Sequence, residues 1–210
     1  MNIHDITATF EKAICDYTGA PYCVCVDNES NALFLALKYH GVTGKEIFIP
    51  SHTYPSVPYE IKRAGGIIRF EPSDEWLQGE YQLKPTNVWD SALRFTADMY
   101  REGQFQCLSF TGQWKRLKTV KGGAILTDNY DAYLWFMRYR FSGRRACSYH
   151  EDTFDFVDGG INCYMPHTLA SIGLQMITGF YDNDGKKLAF PDLRLKYPDL
   201  SLPKHTAFIC

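Results

Sequence analysis

The chain has 210 residues, 45% of them hydrophobic, and a formal net charge of −2. Surfaces that bind nucleic acids or anionic membranes usually carry a clear excess of lysine and arginine, so this charge argues against both partners. A chain of this length can bury about 70% of the surface that its unfolded form exposes, which is enough for one sizeable core. We therefore expect a partner that is a small molecule or another protein.

The seven cysteines are scattered and lie mostly inside apolar runs, which predicts reduced and mainly buried thiols. The closest pair, Cys23 and Cys25, lacks the CxxC-type spacing of zinc sites, so we expect no metal site. The amino terminus has no basic segment followed by an apolar stretch, and no apolar run approaches the ~20 residues that span a bilayer. The sequence predicts a soluble, cytoplasmic protein.

Strand and helix patterns alternate along the first 180 residues. Patterns typical of helices cover residues 10–17, 29–40, a segment after Ser56 that ends near Gly65, and 130–141. Short apolar runs typical of buried strands cover residues 22–26, 46–50, 67–70, 87–89, 105–110 and 124–126. This alternation predicts an α/β domain over residues 1–180, with three layers and a mostly parallel central sheet. Residues 181–210 carry a turn and several prolines, which predicts an extended or irregular carboxyl-terminal arm.

Three polar segments follow predicted strands, and ligands of such sheets bind at the carboxyl ends of strands. The first segment covers residues 27–33. Ser30 and the free amides of a helix amino terminus could hold a phosphate there, because these donors lack helical partners and the helix dipole favours an anion. The same residues also fit an ordinary, well-capped helix.

The second segment contains Asp90, a carboxylate that ends a strand and is flanked by small residues. A buried carboxylate needs a cation or a hydrogen-bond donor, since its charge otherwise costs several kcal/mol. A protonated pyridine nitrogen would be a suitable partner. A turn or helix-capping role for Asp90 stays open at this point.

The third segment runs from Ser109 through Thr111 to Lys115. Both hydroxyl groups could donate to a phosphate. A partly desolvated lysine has a lowered pKa, which makes its amine a nucleophile toward an aldehyde. Most lysines are solvated surface charges, and spacing alone does not separate Lys115 from Lys118 and Lys121.

The order of these motifs resembles that of the DegT-like nucleotide-sugar aminotransferases, a family of the fold-type I pyridoxal-phosphate class, over roughly residues 10–178. The matching segments are Asn-Glu-Ser-Asn-Ala-Leu at 28–33, Ile-Pro-Ser-His-Thr-Tyr at 49–54, Trp-Asp-Ser-Ala at 89–92, Ser109 to Gly123, and Gly-Ile-Asn-Cys-Tyr-Met at 160–165. They are similar to the family's Ser-Gly-Thr-x-Ala-Leu, Pro-x-x-Thr-aromatic, Glu-Asp-x-Ala, Ser-Phe-x-x-x-Lys with Gly-Gly, and Gly-x-Asn-x-Arg-Met motifs.

The resemblance implies a pyridoxal-phosphate-dependent transferase fold, an aspartate aminotransferase-like large domain without the usual small domain. It implies that Lys115 forms a Schiff base with the cofactor aldehyde. Asp90 would hold the ring nitrogen, and the ring of Tyr54 would stack on the cofactor. The other cofactor-binding positions that it implies are Asn28, Glu29, Ser30, Ser109 and, toward the phosphate in a neighbouring subunit, Asn162.

These roles predict the transfer of an amino group from glutamate to a nucleotide-linked keto-sugar, by a homodimer with shared sites to which residues 144–158 contribute. Related dehydratases carry histidine at the lysine position, so Lys115 favours transamination. Four features depart from the family pattern: Glu29 for the loop glycine, Leu93 for a Gln or His, Tyr164 for the motif arginine, and one extra residue between Ser109 and Lys115. A second interpretation is a non-catalytic binding or assembly module, and a third is an ordinary α/β domain with accidental matches.

Overall fold

The computed structural model of the protein describes residues 5–71, 79–112, 115–146, 156–179 and 197–208. The helices are α1 (Asp5–Thr18), α2 (Glu29–His40), α3 (Ser56–Arg63), α4 (Tyr130–Tyr139) and α5 (His167–Ile177), with a short 3-10 helix at Thr206–Phe208. The strands are β1 (Tyr22–Val26), β2 (Glu46–Pro50), β3 (Ile67–Glu71), β4 (Tyr81–Gln82), β5 (Val88–Asp90), β6 (Phe105–Ser109) and β7 (Gly123–Thr127). Within these ranges no helix has the length and apolar character that crossing a membrane requires.

The strands form a five-stranded sheet in the order β1-β7-β6-β5-β4 and a two-stranded sheet of β2 and β3. β2 pairs with β3 and β5 with β6 in parallel, whereas β1–β7, β6–β7 and β4–β5 are antiparallel. The two sheets meet where Phe48 and Lys84 exchange backbone hydrogen bonds of 2.8 and 3.1 Å in an antiparallel bridge. Of the described strands, β1, β2, β3, β5 and β6 therefore run in one direction, and β4 and β7 run in the other.

The predicted α/β fold is confirmed, but the sheet is more mixed than the expected mostly parallel one. The connection from β6 to β7 contains no helix among its described residues, so the chain returns beside β6 as an antiparallel neighbour. β4 was not predicted, because a strand of two residues has no recognisable periodicity. It reverses into β5 through a short connection, which again gives an antiparallel pair.

Helices cover both faces of the sheet, as the three-layer prediction requires. Alternate residues of β1 point to opposite faces, with Val24 and Val26 in one apolar cluster and Cys23 and Cys25 in the other. The first cluster contains the middle of α2, which is buried all round because it lies between the sheet and two other helices. The second cluster contains the apolar residues of α1 and α5. The sheet therefore lies between one layer that contains α2 and another that contains α1 and α5.

Candidate functional site

The carboxyl ends of β1, β2, β5 and β6 meet at one edge of the sheet, and a cavity of about 430 Å³ lies there. Every predicted site residue except Asn162 lines this cavity. Asn28, Glu29 and Ser30 come from the start of α2, Tyr54 from the loop after β2, Asp90 from the end of β5, and Ser109 and Lys115 from the end of β6 and the loop beyond it. The fold therefore brings together motifs that are up to 87 residues apart in the sequence (115 − 28).

The start of α2 lies unusually close to β7. Asn28 has an extended backbone, and its side-chain Oδ1 accepts a hydrogen bond of 2.8 Å from the amide of Asn31, which caps the helix. A Cβ atom at Gly123 would lie 2.7 Å from the nitrogen of Glu29, so a larger residue than glycine would push the helix away. Glycine at this position lets the first turn of α2, with its free amide donors, form one wall of the cavity.

Asp90 is 5% exposed and is held from two sides. Its Oδ1 accepts a hydrogen bond of 3.0 Å from the amide of Ala92, and its Oδ2 accepts one of 2.6 Å from the hydroxyl of Tyr81. Burial and the charge of Asp90 raise the pKa of Tyr81 well above its usual value, so Tyr81 remains a donor. Its oxygen also shares a short hydrogen bond with the hydroxyl of Thr53. These contacts fix a carboxylate at the cavity wall and leave lone pairs for a further donor.

The structure distinguishes Lys115 from Lys118 and Lys121, which the spacing in the sequence does not. Lys115 lines the cavity, and its Nζ donates to the carbonyl oxygen of Ala92. Lys118 is exposed, and Lys121 is exposed with its Nζ 3.4 Å from Asp27. Burial lowers the pKa of Lys115, while the carboxyl groups of Glu29 and Asp90 oppose this shift. The outcome is an amine that gives up its proton more readily than a surface lysine does.

Glu29 turns its carboxyl group into the cavity, toward Asp90 and Lys115. Burial raises the pKa of Glu29 well above its usual value, the charge of Asp90 adds to this rise, and Lys115 opposes it. One carboxyl oxygen, Oε1, is buried and has no hydrogen-bond partner among the described residues. The protonated form of Glu29 is therefore favoured beside Asp90. A neutral Glu29 also removes the repulsion that an anionic ligand at this helix terminus would otherwise meet.

Replacement of Glu29 by glutamine should stabilise the protein at neutral pH. Folding raises the pKa of Glu29, so the wild-type protein loses stability as the pH rises from the unfolded-state value through the folded-state value. Glutamine cannot ionise. We expect the variant to be more stable by about 1–2 kcal/mol at pH 7, and this gain to vanish below about pH 4. Urea unfolding at both pH values measures it, with exposed Glu102→Gln as the control. If the free energy of unfolding had the same pH dependence in the wild type, Glu29→Gln and Glu102→Gln, the buried position of the Glu29 carboxyl group would be contradicted.

The structure gives different results for Asn162, for the segment 144–158 and for Leu93. Asn162 lies outside the cavity and forms an isolated bridge with Phe141, and its expected role in a neighbouring subunit stays a prediction. The interface segment 144–158 falls partly outside the described residues. Leu93 does line the cavity, where it adds an apolar surface instead of a hydrogen bond.

Sequence reasoning missed the roles of Tyr81 and Tyr197, which both line the cavity. Tyr81 lies on the unpredicted strand β4, and Tyr197 lies in the carboxyl-terminal segment, far from every motif. The sequence did contain an indication for Thr53, because it is the threonine of the Pro-x-x-Thr-aromatic match. Its hydrogen bond to the hydroxyl of Tyr81 explains why a hydroxyl group is useful at this position.

Comparison with known proteins agrees with these motifs. The model of the DegT/DnrJ/EryC1/StrS aminotransferase family matches residues 4–74, which include the start of α2 and the loop that carries Tyr54. The similarity to this family is thus shown for the first third of the chain. No curated protein sequence matches this chain.

Solved structures share the fold at low sequence identity. Helicobacter pylori PseC, an aminotransferase involved in the biosynthesis of pseudoaminic acid, is 14% identical over 82% of this chain and 57% of its own, with a TM-score of 0.65. DesI, solved in the presence of its TDP-sugar product, is 18% identical over 85% of this chain and 54% of its own, with a TM-score of 0.63. E. coli GDP-4-keto-6-deoxy-D-mannose-3-dehydratase with bound hydrated PLP is 16% identical over 82% and 60%, with a TM-score of 0.64. This chain thus spans somewhat more than half the length of each, and the expected large-domain fold is confirmed.

Proposed function

We propose that this protein binds pyridoxal 5′-phosphate in this cavity and transfers an amino group from glutamate to a nucleotide-linked keto-sugar. The observation that carries the proposal is the presence of Lys115, Asp90 and the amino terminus of α2 around one cavity. An amine, a carboxylate and an anion-binding helix end are the three groups that an aldehyde, a protonated ring nitrogen and a phosphate need. The matched family and the sugar-related enzymes of similar fold support the same chemistry.

The residues present fit the cofactor. The free amides at the start of α2, with the hydroxyl groups of Ser30 and Ser109, would hold the phosphate. Gly123 keeps this helix end close to the sheet, because a Cβ atom there would fill the space. The carboxylate of Asp90 would accept a hydrogen bond from the ring nitrogen, and Tyr54, which lines the cavity and is 57% exposed, would stack its ring on the heterocycle. The unpartnered oxygen of Glu29 offers one more acceptor in the same space.

Each residue then has a defined task. Lys115 would hold the aldehyde covalently until the amino group of the donor displaces it. The released amine, whose pKa is lowered, would then take up and return a proton at the reacting carbon. Asp90, fixed by Tyr81 and Ala92, would keep the ring nitrogen protonated. When bound, the cofactor supplies the electron sink, and the protein supplies placement and electrostatics. The apolar side chain of Leu93 would help to exclude water from the ring.

The proposal extends to assembly and location. We propose a homodimer in which Asn162 and part of segment 144–158 complete the site of the partner. We also propose that residues 1–180 form the cofactor-binding domain, with residues 181–210 as an arm. Cys23, Cys25, Cys107 and Cys163 are buried free thiols, which fits the reducing conditions of a cytoplasmic protein.

Absorbance spectroscopy tests the proposal directly. The purified protein, mixed with pyridoxal phosphate, should develop a band at the edge of the visible range. Addition of glutamate should then convert this band to that of the pyridoxamine form. Absence of the first band would contradict cofactor binding. A stable band that glutamate leaves unchanged would instead favour the interpretation as a non-catalytic binding module.

A further inference from the structure

The carboxyl-terminal segment 197–208 lies against the loop that follows β2, and we call it the carboxyl-terminal wall. The amide of Leu200 donates a hydrogen bond of 3.0 Å to the carbonyl oxygen of Ser51. The Nδ1 atom of His52 lies 2.9 Å from the carbonyl oxygen of Tyr197. Leu200 is 2% exposed. Backbone pairing and apolar burial therefore both fix this end of the wall.

The far end of the wall is anchored on α3. The ring of Phe208, 7% exposed, packs on the ring of Tyr59 with 4.8 Å between centroids. The Nζ atom of Lys62 donates a hydrogen bond of 3.0 Å to the carbonyl oxygen of Ala207. Two separate attachments hold the wall at a defined position relative to the cavity.

This position places Tyr197 in the cavity lining. Its ring centroid lies 5.9 Å from that of Tyr54, and the rings meet edge to face at 70°. Burial, and after it the nearby carboxyl groups of Asp90 and Glu29, raise the pKa of Tyr197 to about 12. The hydroxyl group therefore keeps its proton and adds no charge to a cavity that already contains two carboxyl groups.

The wall also reaches Asp90 indirectly. The loop it pairs with carries Thr53 as well as Tyr54. Thr53 shares a hydrogen bond with the hydroxyl of Tyr81, which in turn donates to Asp90. The described contacts thus connect the carboxyl-terminal wall to the aromatic and acidic sides of the cavity.

We propose that Tyr197 is a ligand-contacting residue, and that the carboxyl-terminal wall closes the cavity beside Tyr54 around a flat, aromatic ligand. The inference rests on the proposed function, since the ligand is the proposed cofactor, and it adds a binding surface that none of the matched motifs contains. The wall acts through the aromatic ring of Tyr197, which shields the bound heterocycle from water. An edge-to-face aromatic contact of this kind contributes about 0.5–1.5 kcal/mol, which corresponds to roughly twofold to twelvefold in affinity.

Titration with pyridoxal phosphate tests this inference. Tyr197→Ala should raise the dissociation constant by about twofold to twelvefold, whereas Tyr197→Phe, which keeps the ring, should leave it near the wild-type value. Leu202→Ala is the matched control, because Leu202 belongs to the wall but is 41% exposed. An unchanged dissociation constant in Tyr197→Ala would overturn the inference, provided that circular dichroism shows a native fold.

A second readout does not depend on cofactor binding. Ser109 lines the cavity, so a cysteine placed there by Ser109→Cys reports access to the cavity through its alkylation by iodoacetamide, followed by peptide mass spectrometry. Adding Tyr197→Ala should raise the alkylation rate several-fold, and adding Leu202→Ala should not. If the wild-type protein fails to bind pyridoxal phosphate, the proposed function fails, while faster alkylation still supports the wall. Equal alkylation rates with and without Tyr197 would overturn the wall itself.

Discussion

Replacement of Lys115 by alanine should abolish the visible absorption band that pyridoxal phosphate produces with the wild-type protein. The band requires a covalent bond between the cofactor aldehyde and an amine, and Lys115 has the amine that lines the cavity with a lowered pKa. The phosphate and ring contacts would remain, so the variant should still bind the cofactor, but more weakly and without the band. Absorbance titration with fluorescence as a second signal measures both effects.

The matched control is Lys118→Ala, which removes an exposed lysine three residues away. This variant should give the same band and the same affinity as the wild type. A band that survives in Lys115→Ala and disappears in Lys118→Ala would show that the loop after β6 has a different register, and would contradict the site described above.

Asp90→Asn should leave the band in place but slow the conversion by glutamate at least about a hundredfold, which corresponds to about 2.7 kcal/mol in activation free energy. An amide is nearly the same size as a carboxylate. Its oxygen can still accept from the amide of Ala92, and its NH2 group can donate to the hydroxyl oxygen of Tyr81, so the cavity should keep its shape. It has no negative charge to keep the ring nitrogen protonated, so the bound ring would accept electrons poorly. Single-turnover kinetics with glutamate give the rate.

The control for this experiment is Asp131→Asn, at an exposed position in the first turn of α4. Its rate should equal that of the wild type. A wild-type rate in Asp90→Asn would contradict the role proposed for Asp90 and would restore the simpler interpretation of Asp90 as a turn residue.

The sequence was informative where local patterns determine the structure. The helix from residue 29 to 40 was predicted with its observed bounds, because Asn28 supplies a capping side chain and Gly41 adopts the left-handed conformation that ends it. The position of the polar segments at one edge was predicted from their order after successive strands, since the carboxyl ends of strands with the same direction meet there. Tyr54, Asn28 and Glu29, and the choice of Lys115 over Lys118 and Lys121, came from the family resemblance.

Contacts between distant segments could not be predicted in this way. Arg140 and Glu11 form a buried ion pair, and both also bond to the backbone of Cys25. Nothing in either local segment indicates this pairing across 129 residues. The inward turn of Glu29 also had no local signal, because a glutamate in the first turn of a helix is usually solvated and stabilised by the dipole. Its position depends on the packing of α2 against Gly123.

Reduction with borohydride in the presence of pyridoxal phosphate, followed by peptide mass spectrometry, is the most direct test of the central claim that Lys115 holds the cofactor in this cavity. Borohydride makes the bond between the aldehyde and the lysine permanent, so the modified residue can be located. We predict a single major adduct on Lys115 that forms at a stoichiometry near one per chain. An adduct on Lys118, Lys121 or several surface lysines, or no adduct at all, would contradict the claim.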